Sequence, residues 1–197
     1  MQIERFETEH FFAKYEFSSR YLLSNSDCES LSVSELLTLG EMSLSDLGEV
    51  TLGYTESRGR PELLDAIAAT YENIEATDII ELNSPIEGIF VSMSALLEPQ
   101  DQVIVLSPCY DALWQTPTFI SNNTKPWWLK PVQDGWKIDF DALESLLEPP
   151  TKLLVVNFPH NPTGYLPTQP EFTDIINRCK ERGVWLLSDE MYRGLEL

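Results

Sequence analysis

Residues 152–165 read "KLLVVNFPHNPTGY". An apolar run from Leu153 to Val156 breaks without pause into amides, prolines, a histidine, a threonine and a glycine. A run that is apolar throughout, rather than alternating, belongs to a strand covered by helices on both faces of a sheet. The turn formers Asn161, Pro162 and Gly164 then stop that strand. Residues 184–192, "VWLLSDEMY", repeat the arrangement, an apolar run followed by a carboxylate at Asp189 and a phenol at Tyr192. Both stretches predict strand ends that contribute to one ligand site.

Outward from these two strands, helix-like and strand-like segments alternate from about residue 60. "PELLDAIAATYENI" places Leu63, Ile67 and Tyr71 one turn apart, and Pro61 suits a helix start. "IEGIFVSMSALL" is apolar nearly all round and predicts a buried helix, and "DFDALESLL" predicts another. In residues 171–182, Phe172, Ile175, Ile176 and Cys179 share a face, Thr168 and Glu171 form a capping box, and Gly183 ends the helix. Strands are expected at "DIIEL" from Asp78, "QVIVLS" from Gln102, "PWWLK" from Pro126, "KLLVVN" from Lys152 and "VWLLS" from Val184. This alternation predicts an α/β fold of three layers around a mostly parallel sheet. Residues 1–48 lack the rhythm: one helix between polar connectors is expected there, in an arm and part of a smaller domain, with 49–197 forming the first part of a large domain.

Composition narrows the function classes. With 43% hydrophobic and 23% charged residues the chain reads as soluble and globular. Its 13 basic against 32 acidic residues, a formal charge of −19, would repel nucleic acid and anionic membranes. Cys28, Cys109 and Cys179 show no paired or metal-binding spacing, which fits reduced thiols in the cytoplasm. No stretch reaches the roughly 20 apolar residues of a membrane span, and no signal-peptide core is expected near the N-terminus.

Ligands of a parallel sheet bind beyond the carboxyl ends of its strands. Four such ends carry unusual residues: Asn83 to Glu87 opening a helix, Ser107 to Tyr110, and the two stretches quoted above. Ser84 and the free N–H groups of that helix start would seat a phosphate, although Pro85 removes one donor. Taken singly, an aspartate after a strand reads as a turn former or cap, Asn161 to Gly164 as a turn, Tyr110 as core and Tyr54 as a loop aromatic. His160 and His10 read as ordinary loop residues.

Together, Gly53-Tyr54-Thr55 to Arg60-Pro61-Glu62-Leu63, Ser107-Pro108-Cys109-Tyr110, Asn161-Pro162-Thr163-Gly164 and Ser188-Asp189-Glu190-Met191-Tyr192 resemble the large domain of the class I/II aminotransferases, pyridoxal-phosphate (PLP) enzymes of fold type I. "FFAKYEF", "LLSNSDCESLS", "SPIEGIF" and "SPCY" look most like the branch that includes capreomycidine synthase. The resemblance assigns Asp189 to the pyridinium nitrogen, Asn161 and Tyr192 to the phenolate oxygen, Tyr110 to the ring face, and Ser84, Pro85 and Ile86 to the phosphate. Tyr54 of the partner subunit would reach the same phosphate in a homodimer. It implies amino acid and 2-oxo acid substrates and a place in amino acid metabolism or biosynthesis.

The family's Schiff-base lysine lies on a segment beyond the Asp-x-x-Tyr element. All six lysines here, Lys14, Lys125, Lys130, Lys137, Lys152 and Lys180, precede Asp189, and the substrate-carboxylate arginine of the family's C-terminal domain has no counterpart. The resemblance also sets the later strands between "VWLLS" and "DIIEL". The chain is therefore expected to be the N-terminal portion of such an enzyme, with open sheet edges, weak or absent PLP binding and no activity by itself. The alternatives are a non-catalytic remnant that binds another protein, or one half of a split PLP enzyme.

Overall fold

The computed structural model describes residues 4–195. Its helices are α1 (Glu7–Tyr15), α2 (Val33–Leu39), α3 (Leu44–Gly48), α4 (Pro61–Ala68), α5 (Pro85–Leu96), α6 (Asp111–Ser121), α7 (Phe140–Leu146) and α8 (Gln169–Arg182). The strands are β1 (Gln102–Ser107), β2 (Thr124–Trp128), β3 (Lys130–Val132), β4 (Gly135–Lys137), β5 (Thr151–Asn157) and β6 (Trp185–Asp189). Contacts divide the chain into two compact units, one of residues 24–83 and one of residues 84–197 together with the first 23.

In the larger unit, β2, β1, β5 and β6 form a four-stranded parallel sheet in that order, and β3 and β4 form a separate antiparallel hairpin. Alternation along the strands splits the core in two. Val103, Val105, Leu153 and Val155 pack with Ile89, Met93 and Leu113 of α5 and α6, whereas Ile104, Leu106, Leu154 and Val156 pack with Leu143 of α7 and Ile175 of α8. The sheet is thus covered on both faces, as its unbroken apolar strands require. The expected box on α8 is present, with Glu171 N–H donating to Thr168 Oγ1 and Gly183 closing the helix at φ 66°.

Several expectations change. "DIIEL" is not a strand: Ala76–Asp78 form a 3-10 turn, and the segment beyond it bonds to Arg58, through Glu81 N to Arg58 O at 2.7 Å and the Arg58 guanidinium to Ile79 O at 3.1 Å. Among the described residues no strand pairs with it, and Ile80 is 61% exposed. α5 is not buried all round, because Met93 is fully buried while Phe90 and Val91 are exposed. α4 stops at Ala68, short of Tyr71. Residues 4–48 contain three helices where one was expected, and α6 and the β3–β4 hairpin went unread.

The smaller unit depends on local bonds. Ser32 with Glu35 and Ser43 with Asp46 box the starts of α2 and α3. Gly59, at φ +120°, must be glycine, since a Cβ would sit 2.8 Å from the Glu81 Cβ. Only Gly59 and Leu64 are buried among residues 24–83.

The two sides of α5 separate in a stability measurement. Met93→Ala should lower unfolding stability by about 3 kcal/mol, and Phe90→Ala by under about 1 kcal/mol, read as shifts in the urea midpoint at constant m-value.

Candidate cofactor site

Short connections fix where the loops meet. α5 returns to the amino end of β1 through residues 97–101, and α8 reaches β6 through Gly183 and Val184, so both helices run antiparallel to the strands they precede. The start of α5 therefore lies toward the carboxyl end of the sheet, with the loops after β1, β5 and β6. By strand alternation Asn157 and Asp189 share the face of Val155 and Leu187, the side covered by α5 and α6.

Asn157, unmarked by the sequence reading, joins the loops. It is the last residue of β5 and 3% exposed. Its side-chain amide donates to the Asp189 carbonyl at 2.9 Å, and its Oδ1 accepts from the Asn161 N–H at 2.8 Å. Phe158 N–H donates to the same Asp189 carbonyl at 3.0 Å. From the far side of the turn, Asn161 Nδ2 donates to the Tyr192 hydroxyl at 3.3 Å. The Asn157 amide thus holds the Asn161 turn to the Asp189 turn, and Asn161 in turn reaches Tyr192, three residues beyond Asp189.

Asp189 ends β6 half-buried, and its Oδ1 accepts from Met191 N–H at 3.0 Å. Burial pushes its carboxyl above the ordinary range, the Met191 bond offsetting part of this, and no cation pairs with it among the described residues. Tyr110 caps the start of α6, and its hydroxyl donates to Glu9 Oε1 at 2.5 Å. Burial, that bond and the charges of Glu9, Asp111 and Asp189 push the phenol up, so it stays a donor. The Cys109 thiol is pushed up to about 11, mainly by burial and then by Asp111.

The start of α5 is exposed. Ser84 Oγ accepts from Glu87 N–H at 3.3 Å and Ser84 O from Gly88 N–H at 3.2 Å, while Pro85 has no N–H. Within that turn the Ile86 N–H is left to meet an anion. Tyr54 belongs to the smaller unit and is fully exposed.

His160 is a buried residue, 2% exposed, with Nδ1 paired to Thr163 Oγ1 at 2.7 Å and Nε2 without a well-formed partner. Burial holds it down to about 4, the Pro108 carbonyl offsetting part of the effect.

The family profile described as aminotransferase class I and II matches residues 30–197. The chain belongs to the class I and II aminotransferases. It is 30% identical over 156 residues to a probable kynurenine–oxoglutarate transaminase of Saccharomyces cerevisiae, which covers 72% of this chain and 35% of that protein. Its fold matches a PLP-dependent aminotransferase from Streptococcus suis with a TM-score of 0.89 at 27% identity, over 96% of this chain and 52% of that one. A PLP-dependent cyclase, OrfR, matches with a TM-score of 0.86 at 26% identity, over 95% of this chain and 49% of that one. This aminotransferase chain therefore spans about a third of the curated relative and about half of the solved ones. PLP is the cofactor the family implies, and the residues present fit it: Asp189 is a half-buried carboxylate that pairs with no cation among the described residues, and Asn161 and Tyr192 bring an amide and a hydroxyl together on the turns after β5 and β6. No helix among the described residues is long and apolar enough to cross a membrane.

Two outcomes check this geometry. Asn157→Leu should cost about 1–3 kcal/mol in urea unfolding, because it leaves the part-buried Asn161 N–H without its acceptor and removes one donor from Asp189 O. His160 is held below its unfolded value, so the stability it lends is complete above about pH 6.5 and is lost as pH falls toward 4. His160→Gln should flatten the stability curve in that window, followed by urea midpoints at stepped pH.

Proposed function

We propose that this chain forms the N-terminal part of a PLP-dependent enzyme acting on an amino acid, with a 2-oxo acid as the amino acceptor. The observation that carries the reading is the buried Asn157 amide holding Asn161 and Asp189 together, with Asn161 donating to Tyr192, at the carboxyl end of a parallel sheet. The bound cofactor supplies an electron sink for a carbanion at the substrate's alpha carbon. Asp189 keeps the ring nitrogen protonated, a pairing that returns its raised carboxyl toward the ionised form. Asn161 and Tyr192 donate to the ring's phenolate oxygen, and Tyr110 covers a ring face. Ser84 and Ile86 meet the phosphate where Pro85 offers no donor. Tyr54 of the partner subunit completes that seat in a homodimer, and the exposed apolar side of α5, with Phe90 and Val91, supports a partner.

Residues 1–48 serve as arm and part of a smaller domain in this reading, and 49–197 as the first part of the cofactor domain. Three free thiols support a cytoplasmic setting. None of the lysines stands in the family's Ser-x-x-Lys setting. Lys125 and Lys152 lie near the amino ends of β2 and β5, Lys180 lies in the last turn of α8, Lys130 pairs with Asp139, Lys137 is on β4, and Lys14 lies over the Tyr15 ring. These 197 residues alone accordingly hold PLP weakly and do not transfer amino groups. A split enzyme, or a remnant that binds another protein, is the second reading, favoured by the β6 edge, where Trp185 is 56% exposed. Likeness to a cyclase supports placement in the branch that includes capreomycidine synthase.

With millimolar PLP, borohydride treatment and mass spectrometry should find no lysine modified in preference to the others, and assays with amino acids and 2-oxoglutarate should show no turnover. A single preferred lysine would overturn the inactivity. Asp189→Ala should weaken PLP binding, followed by NMR shift titration, by about tenfold or more, from the loss of a charge-assisted bond. Equal binding would remove Asp189 from the site.

A further inference from the structure

α1 buries none of its residues, so apolar packing of the helix itself cannot fix it. Three contacts tie it to the start of α6 instead. Phe6, immediately before α1, packs against the same buried cluster as Tyr110 and Trp114, one that includes Ala112 and Leu113 of α6. Thr8 N–H donates to Asp111 Oδ2 at 2.7 Å, and Tyr110 donates its phenol proton to Glu9 Oε1 at 2.5 Å. Consecutive residues of α1 thus bond to the N-cap and the first residue of α6, across more than 100 positions of sequence.

We propose that Glu9 is a positioning residue for Tyr110: its carboxylate fixes the phenol, and so where the Tyr110 ring lies against the site, making α1 a wall of that site. The proposal rests on the reading that Tyr110 covers the cofactor ring. A tyrosine ring turns about two side-chain torsions, and anchoring its hydroxyl fixes the direction of the ring axis, so the ring cannot swing away with the loop. A hydrogen bond to an ionised acceptor is about twice as strong as a neutral one. Glu9 acts through Tyr110 and need not touch substrate.

The test uses the whole 197-residue chain with its seven tyrosines labelled at 13Cζ, the Tyr110 signal being assigned with Tyr110→Phe. Glu9→Ala should move the Tyr110 signal, leave those of Tyr165 and Tyr192 in place, and speed proteolytic cleavage within residues 5–23 by roughly tenfold. Glu9→Gln, which keeps an acceptor, should restore most of both. The melting temperature should be unchanged, because α1 contributes nothing to the core. A Tyr110 signal unmoved in Glu9→Ala overturns the proposal. Adding PLP to the unaltered chain tests the underlying reading separately: if Glu9→Ala moves Tyr110 but PLP does not, the wall stands and the ring-stacking role falls.

Discussion

The carboxyl end of the sheet is organised by an amide placed where water cannot reach it. Asn157 carries donors and an acceptor into an environment that penalises each of them unless paired. The pairing available there is with the Asp189 carbonyl on one side and the Asn161 N–H on the other. Two loops that follow different strands are thereby held at one separation. Replacing either partner's backbone position moves the other, so the turn after β5 and the turn after β6 behave as one piece.

The rest of the fold brings these strand ends side by side. Register pairs Asn157 directly with Asp189, and the parallel arrangement, with α8 as the crossover between β5 and β6, sets both at the same end. The chain's strongly acidic character then shapes the chemistry. Glu9, Asp111 and Asp189 all act on Tyr110, and no cation answers Asp189 among the described residues. A site of this sign favours a cationic ring over an anionic one, while the phosphate of the same ligand needs backbone N–H groups at a helix start.

Much of this was legible in sequence because it is local. Apolar runs located β1, β5 and β6, and the Thr168–Glu171 box with Gly183 bounded α8, since each signal lies within a few neighbouring residues. "DIIEL" misled because an apolar run does not say whether a neighbouring strand exists, and here Arg58 takes the backbone bonds that a ladder would use. α5 misled in a related way, since its apolar side at Phe90 and Val91 stays about half exposed among the described residues. Asn157 was passed over because an amide at a strand end before prolines reads as a turn former, and its burial emerges only when β6 lies alongside. Glu9 and Tyr110 are 101 residues apart, beyond any periodicity.

The region of residues 24–83 has a thermal consequence. α2 and α3 bury nothing, and leucines at 36, 39 and 44 remain in water, so their order comes from capping boxes over short helices. Melting such helices exposes little new apolar surface and adds little to the heat-capacity change that accompanies unfolding of the sheet. Their loss with temperature is gradual, a helix–coil equilibrium of a turn or two, while the parallel sheet gives way in one sharp step.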